Sequence, residues 1–169
     1  MDIEARLIEA ADRAALHDLI VLYAKGRDTT EPAIYREIFA PDATVGIGDR
    51  VLSHDLSEIL TKVEGDKARF NPDYAEGRTT WAKMLHEVSN VLIRVDGDTA
   101  TGEYYVKTIA YNEAKKRPEL LSVAHNTDAY ERRDKRWWIV RSVIGYGWEG
   151  EELGKALQVG RWTPPQYRR

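Results

Sequence analysis

From about residue 83 to residue 147 the sequence reads as strands joined by short turns, with no helical stretch among them. Strand texture covers about 83–95, 99–111, 119–133 and 136–147, separated by Asp96-Gly97-Asp98, the polar run "NEAKKRP" and Asp134-Lys135-Arg136. Connections this short suit antiparallel neighbours and leave no room for crossover helices. The first half differs. Leu16, Leu19, Ile20 and Tyr23 recur at three- and four-residue spacing within a long amphipathic helix running from about Ile3 to Arg27 and ending near Gly26. Pro32 opens a second helix, "PAIYREIFA", which Pro41 closes. "PDATVGIGDRVLS" suggests a short strand or hairpin, and "DLSEILTKVEG" a third helix beginning at Asp55 or Ser57. Lys67 to Arg78 reads as an irregular loop, and "GEELGKALQVG" as a short helix within a tail of about 151–169. Helices first and a meander afterwards imply an α+β domain, its three helices packed on the concave face of a curved sheet.

Composition bounds what such a domain can do. With 169 residues, 43% of them hydrophobic, the chain suits one domain spanning 1–169. A net charge of -3 gives no basic excess for nucleic acid, and "ERRDKR" and "PPQYRR" are solvated surface. There is no cysteine, which removes disulfides, thiolate nucleophiles and cysteine-held metal centres. "MDIEARLIEAADRAALHDL" is acidic and helical, without a signal peptide's basic start, and no apolar run reaches membrane-span length. A cytoplasmic protein with no membrane or nucleic-acid partner is the expectation.

The first long strand raises a question of chemistry. In a regular strand His86, Val88, Asn90 and Leu92 share one face, while Val91, Ile93 and Val95 share the other. The second face is purely apolar. The first is therefore wet, internally hydrogen-bonded, or the wall of a pocket.

Four pieces in order, "ADRAALHDLIVLYAKGRD", "YREIFAPDATV", "HEVSNVLIRVDGDTATGEYYV" and "YERRDKRWWIVRS", resemble the SnoaL-like branch of the nuclear-transport-factor-2-like superfamily over nearly the whole chain. That resemblance implies a cone-shaped α+β barrel enclosing a pocket. In lyases of the scytalone dehydratase and hexachlorocyclohexane dehydrochlorinase type, an aspartate ending helix one and a histidine on the first long strand form a dyad, and Asp28 and His86 match those positions. A neutral imidazole can take a proton while a carboxylate fixes its tautomer and stabilises the imidazolium. The resemblance implies no metal and no cofactor. It also places Asn126 where the dehydratase binds substrate, and Arg141 where the dehydrochlorinase binds an anion. Tyr23 stands where the latter has a lysine, and Tyr104 is a further substrate-binding candidate. Ala110, Arg27 and Ile47 depart from the dehydratase pattern, so scytalone is not the expected substrate.

Other chemistry-bearing residues read as structural. His125 has no partner in the pattern, and Asp128 is expected to pair with a basic neighbour. Trp137, Trp138, Tyr146 and Trp148 read as core or interface, and "GIGDR" as a turn rather than a dinucleotide loop. The favoured function is a cofactor-independent lyase acting on a small, mostly apolar aromatic or alicyclic molecule. An isomerase or cyclase would use the same dyad. The remaining alternatives are a non-catalytic β subunit of an aromatic-ring hydroxylating dioxygenase and a ligand-binding module. The resemblance implies a homotrimer, with a dimer second, and a sheet covered on one face leaves Val91, Ile93 and Val95 as the candidate contact face.

Overall fold

The computed structural model describes residues 2–70, 84–112 and 115–149, with the backbone alone at 68–70 and 146–149. Its elements run α1 (Ile3–Thr29), α2 (Pro32–Ile38), β1 (Phe39–Ile47), β2 (Arg50–Ser53), α3 (Leu56–Phe70), β3 (Met84–Asp96), β4 (Thr99–Asn112), β5 (Arg117–Arg133) and β6 (Arg136–Glu149). The expected C-terminal helix, and the loop beyond residue 70, lie outside the described residues. Among the described residues no helix is long and apolar enough to cross a membrane.

Helix α1 starts where Asp2 accepts a hydrogen bond from the N–H of Ile3. It runs past Gly26 and ends at Thr30, whose φ of 50° is left-handed, followed closely by Pro32. Gly26 has another purpose. A Cβ there would lie 3.0 Å from the Tyr35 ring, so the glycine lets α2 pack against α1. Leu16, Leu19, Ile20, Tyr23 and Ala24 form the buried stripe of α1. Helix α3 begins after Asp55, which caps the N–H of Glu58, while Glu58 reaches back to the N–H of His54. It continues through Phe70, so Lys67 to Phe70 is helix rather than loop.

Pro41 does not close a helix. Strand β1 already begins at Phe39, and the proline sits where the pairing of β1 with β6 is irregular, between Phe39 and Thr44. The six strands form one open sheet in the order β2-β1-β6-β5-β4-β3, parallel only between β1 and β6. The expected cone therefore takes the form of an unclosed mixed sheet. Helix α1 contacts both β3 and β6, which are three strand spacings apart, about 14 Å. With 27 residues, about 40 Å of helix, α1 is long enough to cross that width and touch both. Leu16, Ile20, Ile38, Phe39 and Ile139 are fully buried in the space between.

Two bulges decide which residues face that space. In β3, Ser89 pairs with Tyr105 but Leu92 with Glu103, so β3 holds one residue more than β4 there. Asn90 sits at this bulge with φ of 52°. The alternation is reset. His86 faces inward before the bulge and Ile93 after it, while Asn90 and Leu92 are exposed. The expectation that His86 shares a face with Asn90 and Leu92 is thus overturned. Ile93 lies in the core, with Val91 and Val95 packed against it, and Arg13 of α1 donates to the carbonyl of Ile93. That apolar set packs within the fold, Ile93 buried and Val91 and Val95 partly so.

Candidate active site

The last turn of α1 brings Asp28 against the start of β3. Asp28 Oδ1 lies 2.7 Å from His86 Nδ1 and accepts the His86 backbone N–H at 2.7 Å. An ionised carboxylate can only accept, so Nδ1 carries the ring proton and Nε2 keeps its lone pair. The imidazole is almost wholly enclosed, its side chain 3% exposed against 18% for Asp28. Burial lowers the proton affinity of His86, the Arg27 cation lowers it further, and the bond to Asp28 opposes both. The net shift is downward. At neutral pH this imidazole is uncharged and able to accept a proton.

A cavity opens beside it, lined by Ile20, Tyr23, Arg27, His86, Tyr104 and Asn126, with Ala24, Val88 and Val106 completing the wall. Its volume among the described residues is about 10 Å³, the space of roughly one water. It takes one polar group rather than a whole ring. Tyr23 packs edge-on against Phe39 at 5.1 Å and Tyr35 at 6.0 Å, which fixes its ring at the α1 side. Of the candidates read from the sequence, His86, Asp28, Tyr23, Tyr104 and Asn126 therefore meet in one place.

Arg141 does not join them. In β6, Arg141 pairs with Ala129 while Ile139 pairs with Tyr130, so Val140 is an extra residue. Without this bulge Trp137, Ile139 and Arg141 would all face inward. With it, Ser142 takes the inward place and Arg141 is exposed beside the β1–β2 hairpin. His125 also faces outward, its ring 5.2 Å from Tyr105 and its Nε2 3.9 Å from Glu103. Trp137 is core, and Trp138 is half-buried under the Arg136 guanidinium. The side chains of Tyr146 and Trp148 lie outside the described residues.

Asp128 departs most from expectation. No basic side chain pairs with it among the described residues. Its Oδ2 instead accepts from the hydroxyls of Tyr104 at 2.7 Å and Tyr130 at 3.0 Å. Burial raises its pKa to about 6, against the pull of these hydroxyls and of nearby Ser142. Sequence reasoning also passed over Arg27 as a cation at the dyad, although its place directly before Asp28 at the end of α1 was the available signal.

The sequence model of the SnoaL-like domain matches residues 9–143. The chain belongs to this family. Its fold is shared by an NTF2-like protein with a cystatin-like fold from Novosphingobium aromaticivorans, at TM-score 0.70 and 21% identity, covering 94% of this chain and 96% of that one. It is also shared by hexachlorocyclohexane dehydrochlorinase LinA-type3 from Novosphingobium barchaimii LL02, at TM-score 0.66 and 21% identity, covering 95% and 99%. At such identities the likeness shows the SnoaL-like architecture alone. Among curated proteins no sequence match is found.

Proposed function

We propose that this SnoaL-like protein is an enzyme that removes a proton from carbon in a small ring compound, with His86 as the base, and so acts as a lyase of the elimination type. The observation that carries this reading is the contact of Asp28 Oδ1 with His86 Nδ1, which leaves a neutral, enclosed Nε2 as the free lone pair. His86 Nε2 takes the proton, positive charge develops on the imidazole, and Asp28 stabilises it through Nδ1–H. Electrons from the broken C–H bond form the double bond as the leaving group departs from the neighbouring carbon. Val88, Val106 and Ile20 keep the surroundings apolar, which strengthens the attraction between the charges. The dehydrochlorinase of like fold carries out a reaction of this class by name, which supports the reading by analogy. An isomerase using the same base would differ only in where the proton returns.

The test is turnover of a panel of six-membered ring compounds carrying hydroxyl or halide β to an acidified C–H, followed by product absorbance. Wild-type turnover that His86→Ala reduces roughly 10²–10⁴-fold supports the reading. A substrate converted equally well by His86→Ala would remove the dyad from the chemistry.

A further inference from the structure

Facing the dyad across the cavity is a second buried polar group that proton abstraction does not use. Tyr104 of β4 and Asn126 of β5 are paired in register and line the cavity with His86. Asp128 of β5 and Ser142 of β6 are likewise paired, one step deeper. All four are at most 3% exposed. Asn126 Oδ1 meets no hydrogen-bond partner, and Asp128 Oδ1 and Ser142 Oγ have none other than each other. Folded interiors satisfy the large majority of such atoms, so Asn126 Oδ1, which belongs to the cavity wall beside Tyr104, marks a place where a hydrogen-bonding partner is supplied by something else.

We propose that Tyr104, oriented by Asp128, is the hydrogen-bond donor that receives an oxygen of the ligand, and that the ligand class is therefore a ring bearing hydroxyl or carbonyl oxygen rather than a halogenated ring. This rests on the dyad reading in one respect: the oxygen then lies near the C–H bond that His86 attacks, where negative charge develops. The 10 Å³ space between them has the size of one such oxygen, with the ring itself outside it. Asp128 is a positioning residue. Protonated, it donates from Oδ2 to Tyr104 Oη across the same 2.7 Å contact, accepts from Tyr130, and leaves the Tyr104 O–H free to turn to the cavity. Ionised, it holds the Tyr104 proton for itself. The groups facing Asp128 are Tyr104 from β4, Tyr130 from its own strand and Ser142 from β6, while Tyr23 of α1 faces Tyr104. His86 and Arg27 are the other titratable or charged groups of the cavity wall.

Phenol and chlorobenzene are the matched probes, titrated into the full chain by NMR between pH 5 and pH 8. The expected result at pH 5 is a preference for phenol of about tenfold or more, abolished by Tyr104→Phe, since a site built around a hydroxyl discriminates strongly against its analogue. In wild type the preference falls as pH rises through about 6, where Asp128 ionises. In Asp128→Asn, whose amide still donates to Tyr104, it is retained and independent of pH. His86→Gln keeps the preference, which separates this proposal from the dyad: turnover can fail while phenol recognition stands. Failure of both probes to bind, a preference that survives Tyr104→Phe, one lost in His86→Gln, or a pH dependence that persists in Asp128→Asn would each overturn it.

Discussion

A single oxygen, Asp28 Oδ1, accepts both the backbone N–H and the ring Nδ1 of His86, each at 2.7 Å. The strand and the imidazole are thereby positioned by the same atom. Asp28 belongs to the final turn of a helix that stops one residue later, at Thr29, so the contact fixes the end of α1 against the start of β3.

Asp28→Asn and Asp28→Ala should differ from His86→Gln in a measurable way. The amide of Asn can keep a contact with the backbone N–H but cannot stabilise an imidazolium, so kcat should fall roughly 10²–10⁴-fold with little change in melting temperature. Ala also orphans a buried N–H and should lower stability by about 1–3 kcal/mol. The wild-type pH profile of kcat/KM should fall on the acid side at a pH below the ordinary histidine range, since burial and Arg27 lower the affinity of His86 for its proton. A profile that is flat there would remove His86 as the titrating base.

Asp128 gives a prediction about stability that needs no substrate. In the folded protein it holds its proton up to about pH 6, whereas an unfolded aspartate holds it only to about 3.9. The folded state binds more protons between these values, so the contribution of Asp128 is fully present below the lower one and is lost as pH rises through the upper. Asp128→Asn should therefore be more stable than wild type at pH 8, by on the order of 2–3 kcal/mol, with the advantage shrinking toward pH 4. Thermal melts at the two pH values check the sign.

At Asn90 the backbone sets the rule. With φ of 52°, Asn90→Gly should be close to neutral, whereas Asn90→Val should cost about 1–2 kcal/mol, because a β-branched residue is strained in the left-handed region. Urea midpoints of the two variants decide. Equal midpoints would mean that the bulge relaxes without cost.

A staple at the far end of the sheet offers the last test. Arg132 grips Asp12 through two nitrogens, at 2.6 and 2.9 Å, and also donates to Asp98, while Trp137 Nε1 donates to Asp12 at 2.9 Å. The hydrogen bonds from Arg132 hold the Asp12 carboxyl below its usual range. Asp12→Ala leaves the indole N–H without its partner, but Arg132 keeps Asp98, so a loss of about 2–3 kcal/mol is expected in denaturant unfolding, below the ~3–5 kcal/mol of breaking a fully buried pair.

The sequence made the order of elements legible because hydrophobic period and turn residues are local signals, and the meander needed little more. The pairing of Asp28 with His86 came instead from the resemblance to SnoaL-like lyases, since no local period joins two residues 58 apart in the chain. Where the reading failed, each failure had a local physical cause. Asn90 was assigned a face by counting in twos, and an extra residue in β3 broke the count; Arg141 was placed in the pocket by the resemblance, and an extra residue in β6 turns it outward. At Asn90 a sign was available, since asparagine tolerates positive φ; at Val140 there was none. Asp128 was expected to pair with a cation because ionised carboxylates usually do. Its partners are tyrosines two residues along the strand and across in β4, a relation visible only once register is known.

Between Asp12 and Asp28 the chain is unbroken helix, 16 residues that span about 24 Å at 1.5 Å per residue. Both carboxylates have fixed partners on the sheet, so this stretch acts as a gauge rod with two marks. Substitutions along it leave the spacing of the marks alone. One inserted residue would turn Asp28 by about 100° about the helix axis relative to Asp12, swinging it away from His86 while the staple still held. Across variants of this chain, length changes in the loops and in the tail should be tolerated far more readily than a single insertion or deletion between those two aspartates.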